Sequence, residues 1–437
     1  MNNMRNSKLS VHKIVFVVLL GIALPVFSNA QGLKVGNPVA DGFSSENLHR
    51  IDSLFNSFTK DHRIAGVCAM VVRHGHIDYW NASGYSDIKN NKLLKKTDMF
   101  RIASQTKAIT CAAILILYQE GKLLLNDPIS KYIPEFKNPV VLKDFNPKDS
   151  TYTTEPAKRE ITIHDLLTHT SGISYPVIGT KEATAIYKKA NLPVGFETRR
   201  IKLADKMKIL GKMPLVLQPG SNYTYGLNMD VLGDIIEIVS HQTLNDFFHD
   251  RIFKPLGMND TYFYVPADKQ ARVSKVFTAD KQGLQTLENT TNDTSGVSVD
   301  YPFVKNGTYF SGGAGLTSTA YDYCLFMQMM QNGGILNGTR VLSPNIIRLM
   351  RINQIGDLVA GWGANKVGFS FEVATEKSAA DAPWHVGTNI GGGFWGSSYW
   401  LDPKSDMVVQ IWTQGGGWAY GEMFDKFRAM VYGALNE

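Results

Sequence analysis

Cysteine is nearly missing from this 437-residue chain, which carries only Cys68, Cys111 and Cys324. Three widely spaced thiols among apolar neighbours exclude a disulfide scaffold and read as core residues. Charge is also sparse: 19% of residues are charged against 44% hydrophobic, which excludes a disordered chain or a coiled coil and leaves ample material for a large core. No CxxC, HExxH or comparable ligand spacing occurs, so a metal has no support. Nor is there a basic stripe. Lys and Arg number 45 against 39 Asp and Glu, and three of the basic residues, Arg5, Lys8 and Lys13, lie in the first thirty, leaving 42 against 39. That balance argues against a nucleic-acid surface and for a small-molecule substrate. Finally, no apolar run reaches the roughly twenty residues that span a bilayer. The longest, residues 14–27, follows basic residues, is interrupted by Pro25 and ends at Ser28 and Ala30. This is the pattern of a secretory signal cleaved after Ala30, predicting an exported, periplasmic or secreted chain that begins at Gln31, with no stable membrane insertion after processing. No Cys follows the run to support a lipid anchor.

What is present begins with helical spacing of apolar residues over 47–58. The alternating VCAMVVRHGHIDYWNASGY follows, reading as two paired strands around a His-Gly turn. From Lys107 to Glu120 the chain is apolar on nearly every side and stops at Gly121, which predicts a buried helix with a glycine cap. Amphipathic segments recur at 230–240 and 320–331, the latter capped by Thr319 and Asp322. Strand signals return in GFWGSSYWLDP and DMVVQIWTQ before a helix-like tail over 420–435. Strands at both ends with helices between predict an α/β (α+β) fold, one sheet assembled from both chain ends. The expected boundaries are a single domain over 31–437, with a sheet lobe from about 45–100 and 355–437 and a mostly helical insertion over about 101–350.

No GxSxG occurs, which removes a nucleophile elbow. The remaining route is Ser-x-x-Lys, in which a lysine one helical turn away reaches the serine hydroxyl. Four copies exist: Ser10 with Lys13, Ser57 with Lys60, Ser86 with Lys89 and Ser104 with Lys107. The first lies in the signal, the second on a solvated helix face and the third in a polar turn. Only Lys107 enters an apolar helix, where burial would favour its neutral, basic form and Ser104 would have helix N-terminal amides beside it. On spacing alone a helix cap is an equal role for Ser104.

FRIASQTKAIT, LYQEGKLLLNDPISKYIPEF, ITIHDLLTHTSGISY, PGSNYTYGLNMDVLGDIIEIVS, SGGAGLTSTAYDYCLFMQMMQNGG and GGGFWGSSYWLDPKSDMVVQIWTQ stand in that order. In these blocks the chain resembles the serine β-lactamase and penicillin-binding-protein superfamily, in its class C-like branch of carboxylesterases. The resemblance covers nearly all residues from about 47 onwards. It implies a β-lactamase/transpeptidase-like fold with an antiparallel sheet and no cofactor. Ser104 would be the acylated nucleophile, Lys107 its proton partner and Tyr225 the tyrosine of the family's Tyr-x-Asn element, with Tyr223 packing against the sheet. The family asparagine position holds Leu227, with Asn228 beside it as a possible substrate contact. The third family element falls at Gly391, Gly392 and Gly393, where no cation stands, and the oxyanion amides would be those of Ser104 and Phe394. His385 is a minority candidate for a displaced His-x-Gly, while His164 and His169 belong to a block assigned no chemistry. The missing asparagine and cation favour ester over lactam chemistry. The resemblance leaves open an acyltransferase, a β-lactamase or D-alanyl peptidase, and a penicillin-recognising module without turnover.

Overall fold

A computed structural model describes residues 32–280, 283–288, 297–360, 363–416 and 420–436. The signal and the Ser10–Lys13 pair lie outside them. Helix α1, Ser45–Lys60, starts where the Ser44 side chain accepts the Asn47 amide, and it buries Leu48, Ile51, Phe55 and Phe58 at three- and four-residue steps. Strands β1, Gly66–Arg73, and β2, His76–Asp87, form the hairpin around His74 and Gly75, both at positive φ. All eight residues of β1 are buried because both sheet faces are covered. Cys68, Met70 and Val72 join one apolar cluster, and Val67, Ala69 and Val71 join another with α1.

The first cluster is centred on α2, Thr106–Gln119, in which every residue through Leu117 is buried. Gly121 follows at φ +70, the left-handed position that ends such a helix. Around α2 pack α3, Asn228–Ser240, and α4, Ala320–Gln331, the latter capped by Thr319 accepting the Asp322 amide. The chain then returns to the sheet through β3, Lys366–Val367, β4, Glu372–Val373, β5, Asn389–Gly393, β6, Ser397–Asp402, and β7, Met407–Trp412. Helix α5, Gly421–Gly433, lays Met423, Phe427 and Val431 into the cluster of α1.

The sheet order is β2-β1-β7-β6-β5-β4-β3, antiparallel throughout, with the short strand Lys34–Val35 added in parallel outside β2. The result is a three-layer α/β arrangement whose sheet draws on both ends of the chain. An exposed hairpin, Val140–Asn146 with Thr151–Pro156, interrupts the region read as helical. Phe394, Trp395 and Gly396 form a turn between β5 and β6, and Ser86 lies buried inside β2 where a polar turn was expected. The three cysteines are buried and free, Cys68 on β1, Cys111 on α2 and Cys324 on α4. No helix among the described residues is long and apolar enough to cross a membrane.

Candidate active site

Ser104 sits in a one-turn 3-10 segment, Ala103–Gln105, that leads into α2. The preceding Ala103 is held at φ +44, a left-handed backbone that a side chain rarely adopts. Ser104 caps nothing; the residue flanking α2 is Gln105, without a side-chain cap. Its Oγ instead accepts hydrogen bonds from Tyr225 Oη at 2.7 Å and from Lys107 Nζ at 3.3 Å. The two other pairs among the described residues make no such contact: Ser57 Oγ donates to the Leu54 carbonyl, and Ser86 Oγ to the Lys92 carbonyl.

Lys107 Nζ also donates to the Gly313 carbonyl at 2.7 Å and to Tyr175 Oη at 3.2 Å, and lies 4.7 Å from the Tyr225 ring centre. Burial pushes the ammonium down, as the apolar helix predicts, but the facing Tyr175 and Tyr225 oxygens outweigh it and hold Lys107 above its ordinary value. The expectation of a neutral resting amine is therefore corrected: what burial removes, two phenol oxygens and a carbonyl supply. Tyr175 itself is pushed upward by its burial.

Tyr225 precedes Gly226, where any Cβ would stand 2.0 Å from the Ile173 carbonyl oxygen. That close approach ties the Tyr225 segment to the one carrying Tyr175, and the two rings lie 5.5 Å apart. His169 lies 4.8 Å from the Tyr225 ring on the other side. Burial, reinforced by the Lys107 charge, holds His169 well below its ordinary value, so the ring is neutral.

Ser104, Lys107, His169 and Tyr225 line a cavity of about 80 Å³ with Gly391 and Gly392 on one wall. Strand β5 pairs with β4 only at Asn389 and Ile390, while Gly391, Gly392 and Gly393 pair with β6 alone, which leaves one edge facing the cavity. A Cβ on Gly393 would meet the Ile102 carbonyl oxygen at 2.4 Å, so the strand end abuts the turn that carries Ser104.

Three candidate side chains, those of Asn228, Phe394 and His385, stand elsewhere. Asn228 is fully buried in the first turn of α3, its Oδ1 accepting from Ser171 Oγ at 2.5 Å and its Nδ2 paired with His169 Nδ1 at 2.8 Å. It supports His169 from behind and does not line the cavity, a correction to its reading as a substrate contact. Leu227 is likewise in the core. The Phe394 ring lies past the end of β5, half exposed, edge-on to Trp395 and 6.0 Å from Phe196, outside the cavity wall, which leaves its backbone amide as the part that an oxyanion role concerns. His385 pairs with Asp402 at 2.8 Å and packs on Tyr432, which removes it from the site.

Sequence reasoning passed over Tyr175, although it closes the quoted ITIHDLLTHTSGISY block, and treated His169 as inert. Tyr223 packs beside Ile355 and Val367 yet also lines the cavity, as do Glu372 and Tyr399. Only the two-residue spacing from Tyr225 pointed to Tyr223. Nothing local pointed to Glu372.

A preorganised serine, ammonium and tyrosine beside an open strand edge form the arrangement of an acyl-transfer site. The family model described as Beta-lactamase matches residues 51–430. Protein Rv1367c of Mycobacterium tuberculosis is 34% identical over 358 residues, covering 79% of this chain and 84% of that protein. Esterase EstB of Burkholderia gladioli is 29% identical over 375 residues, covering 83% and 89%. Among solved structures, EstCE1, described as a hydrolase with promiscuous acyltransferase activity, superposes with a TM-score of 0.76 at 25% identity, over 91% of this chain and 100% of that one. The chain belongs to the β-lactamase family. Within it, the chain falls in the esterase-like branch and is a serine hydrolase.

Proposed function

We propose that this protein is an exported serine hydrolase that cleaves carboxylic esters of small molecules through an acyl-enzyme on Ser104. The observation that carries the reading is the double hydrogen bond on Ser104 Oγ, from Tyr225 Oη at 2.7 Å and Lys107 Nζ at 3.3 Å, at the wall of the cavity. In the reactive form the pair holds one proton fewer, with the Tyr225 phenolate beside the Lys107 ammonium, and the Ser104 proton passes to Tyr225 Oη as Oγ bonds to the ester carbonyl carbon. The pair returns a proton to the departing alkoxide, and water then repeats the sequence to release the acid. The Lys107 charge, held above its ordinary value by the tyrosine oxygens, stabilises negative charge on Oγ during attack. Oxyanion stabilisation is assigned to the amides of Ser104, in the first turn before α2, and of Phe394, at the end of the glycine strand. Because EstCE1 is described as having acyltransferase activity, transfer of the acyl group to an alcohol in place of water is the second reading.

Export rests on the basic, apolar and small-residue sequence of the first thirty residues, and N-terminal sequencing of secreted material should begin at Gln31. For the chemistry, a fluorophosphonate should add to Ser104, and Ser104→Ala should abolish both labelling and turnover of nitrophenyl butyrate. Lys107→Ala and Tyr225→Phe should each lose ~10²- to 10⁴-fold in kcat. A cephalosporin turned over with a kcat/KM equal to the butyrate ester's would overturn the esterase reading.

A further inference from the structure

The cavity wall beside Ser104 holds one carboxylate that the proton-transfer scheme does not use, Glu372. It lies on β4 directly across from Ile390, the residue before the glycine edge, so it stands at the entrance to the strand along which a substrate would lie. Its Oε2 accepts from Asn365 Nδ2 at 2.6 Å. A carboxylate offers about four acceptor positions, and among the described residues this bond takes up one of them. Burial pushes Glu372 above its ordinary value even with the Asn365 amide opposing, which marks a group that water solvates poorly.

Among the described residues lining the cavity Lys107 is the one cation, and its ammonium is already engaged by Ser104, Tyr175 and Gly313. Lys366 on the adjoining β3 donates to the Leu358 carbonyl at 2.8 Å, and the His169 ring is neutral. A substrate carboxylate at this end would meet a like charge in a poorly hydrated wall. A hydroxyl or ammonium group would meet an acceptor with free positions.

We propose that Glu372 is a specificity-determining residue that selects esters bearing a hydrogen-bond donor, hydroxyl or ammonium, close to the ester group and turns away esters bearing a carboxylate there. The proposal rests on Ser104 as the nucleophile. Glu372 and Ser104 line the same cavity, which sets the donor near the ester group.

The test is the change in kcat/KM from wild type to Glu372→Gln for two matched series. In one the charge is on the acyl portion of a nitrophenyl ester, and in the other on the alcohol portion of an acetate ester. Each series carries an ammonium, a neutral methyl and a carboxylate member. Comparing variants on one substrate cancels its intrinsic reactivity, and glutamine keeps an oxygen for Asn365. In at least one series the variant should lose about ten- to a hundredfold on the ammonium ester and gain about tenfold on the carboxylate ester, with the neutral ester within about twofold. Changes of less than about twofold across both series would overturn the assignment. With wild-type protein alone, butylammonium should inhibit neutral-ester turnover at least about fivefold more strongly than butyrate, and the reverse order would also overturn it. Neutral-ester turnover that is absent, or that survives Ser104→Ala, would instead be a failure of the esterase reading.

Discussion

The two flanks of the sheet treat an exposed edge in opposite ways. At the β2 flank the N-terminal segment comes back and pairs Lys34 with His76 and Val35 with Ile77, covering the start of the edge, and Lys92 and Leu93 pair farther along it. On the cavity side, β4 is only two residues long and its pairing stops at Ile390, so Gly391 to Gly393 keep a free edge. Unpaired strand edges are usually covered because they invite aggregation. Here the open edge abuts the Ser104 turn and lines a cavity, and its lack of side chains lets another backbone or a substrate come close. An edge without side chains is the feature to break first.

Gly393→Ala should have the largest effect. The new Cβ would fall 2.4 Å from the Ile102 carbonyl oxygen, which itself accepts the Gln105 amide at 3.1 Å and so closes the turn that holds Ser104. Neither backbone has room to give. A shift of about 1 Å in the nucleophile can cost roughly 10²-fold, so kcat/KM for nitrophenyl butyrate should fall by at least that factor. Gly433→Ala at the end of α5, whose Cβ would meet nothing within 4 Å, should leave activity unchanged.

Tyr175→Phe should rank next. It keeps the buried ring but removes one of the partners of Lys107 Nζ, so kcat should drop about tenfold while KM for a neutral ester holds. The sign of the pH effect follows from the Tyr175 oxygen raising Lys107: without it, Lys107 is raised less and loses its proton at lower pH. The alkaline limb of the pH-rate profile should move to lower pH, a displacement that a merely packed tyrosine would not produce.

The part of the site that follows from periodicity was legible. The apolar face-all-round pattern after Lys107 marks α2 and selects Ser104 from four serine-lysine pairs, because only there does the lysine enter the core. Tyr225 came from a family block and needed the Gly226 contact with Ile173 to explain its position. Asn228 was misplaced for a simple reason: each step along a helix turns a side chain by about 100°, so neighbours in sequence face different surroundings. Tyr175 and Glu372 were invisible because Tyr175 reaches Lys107, and Glu372 the cavity, only through tertiary packing. Glu372 sits in a strand of two residues, too short to show alternation, and in the hairpin only Val141 is a core residue while the partner strand Thr151–Pro156 is exposed throughout. The charge state of Lys107 was also beyond the sequence, since it depends on oxygens from 68 and 118 positions away.

The covered flank supplies the smallest and sharpest contrast. Beneath the returning N-terminal segment, Asp78 on β2 faces Asp41, and a Cβ on Gly36 would stand 2.5 Å from Asp78 Oδ1 and 2.9 Å from Asp41 Oδ2. Burial and the Asp41 carboxylate push Asp78 up to about 7, while Asp41, despite its own burial, is held below the usual carboxylate range by His76 and Asp78. A carboxyl group raised in the folded state contributes stability that is complete below its unfolded value, near 3.8, and is lost as pH rises through about 7. The wild-type Tm should therefore fall between pH 5 and pH 8, and the N-terminal segment should become easier to cleave with protease over the same interval. Asp78→Asn carries no charge to repel Asp41, so its Tm should decline less over that range, by at least ~2 °C. The variant should leave kcat/KM for the butyrate ester unchanged, because this pair lies under the covered edge and does not line the cavity beside Ser104. Equal pH dependence of Tm in the two proteins would mean that the N-terminal strand is held by its backbone pairing alone, and that the carboxyl pair beneath it takes no part in covering this flank.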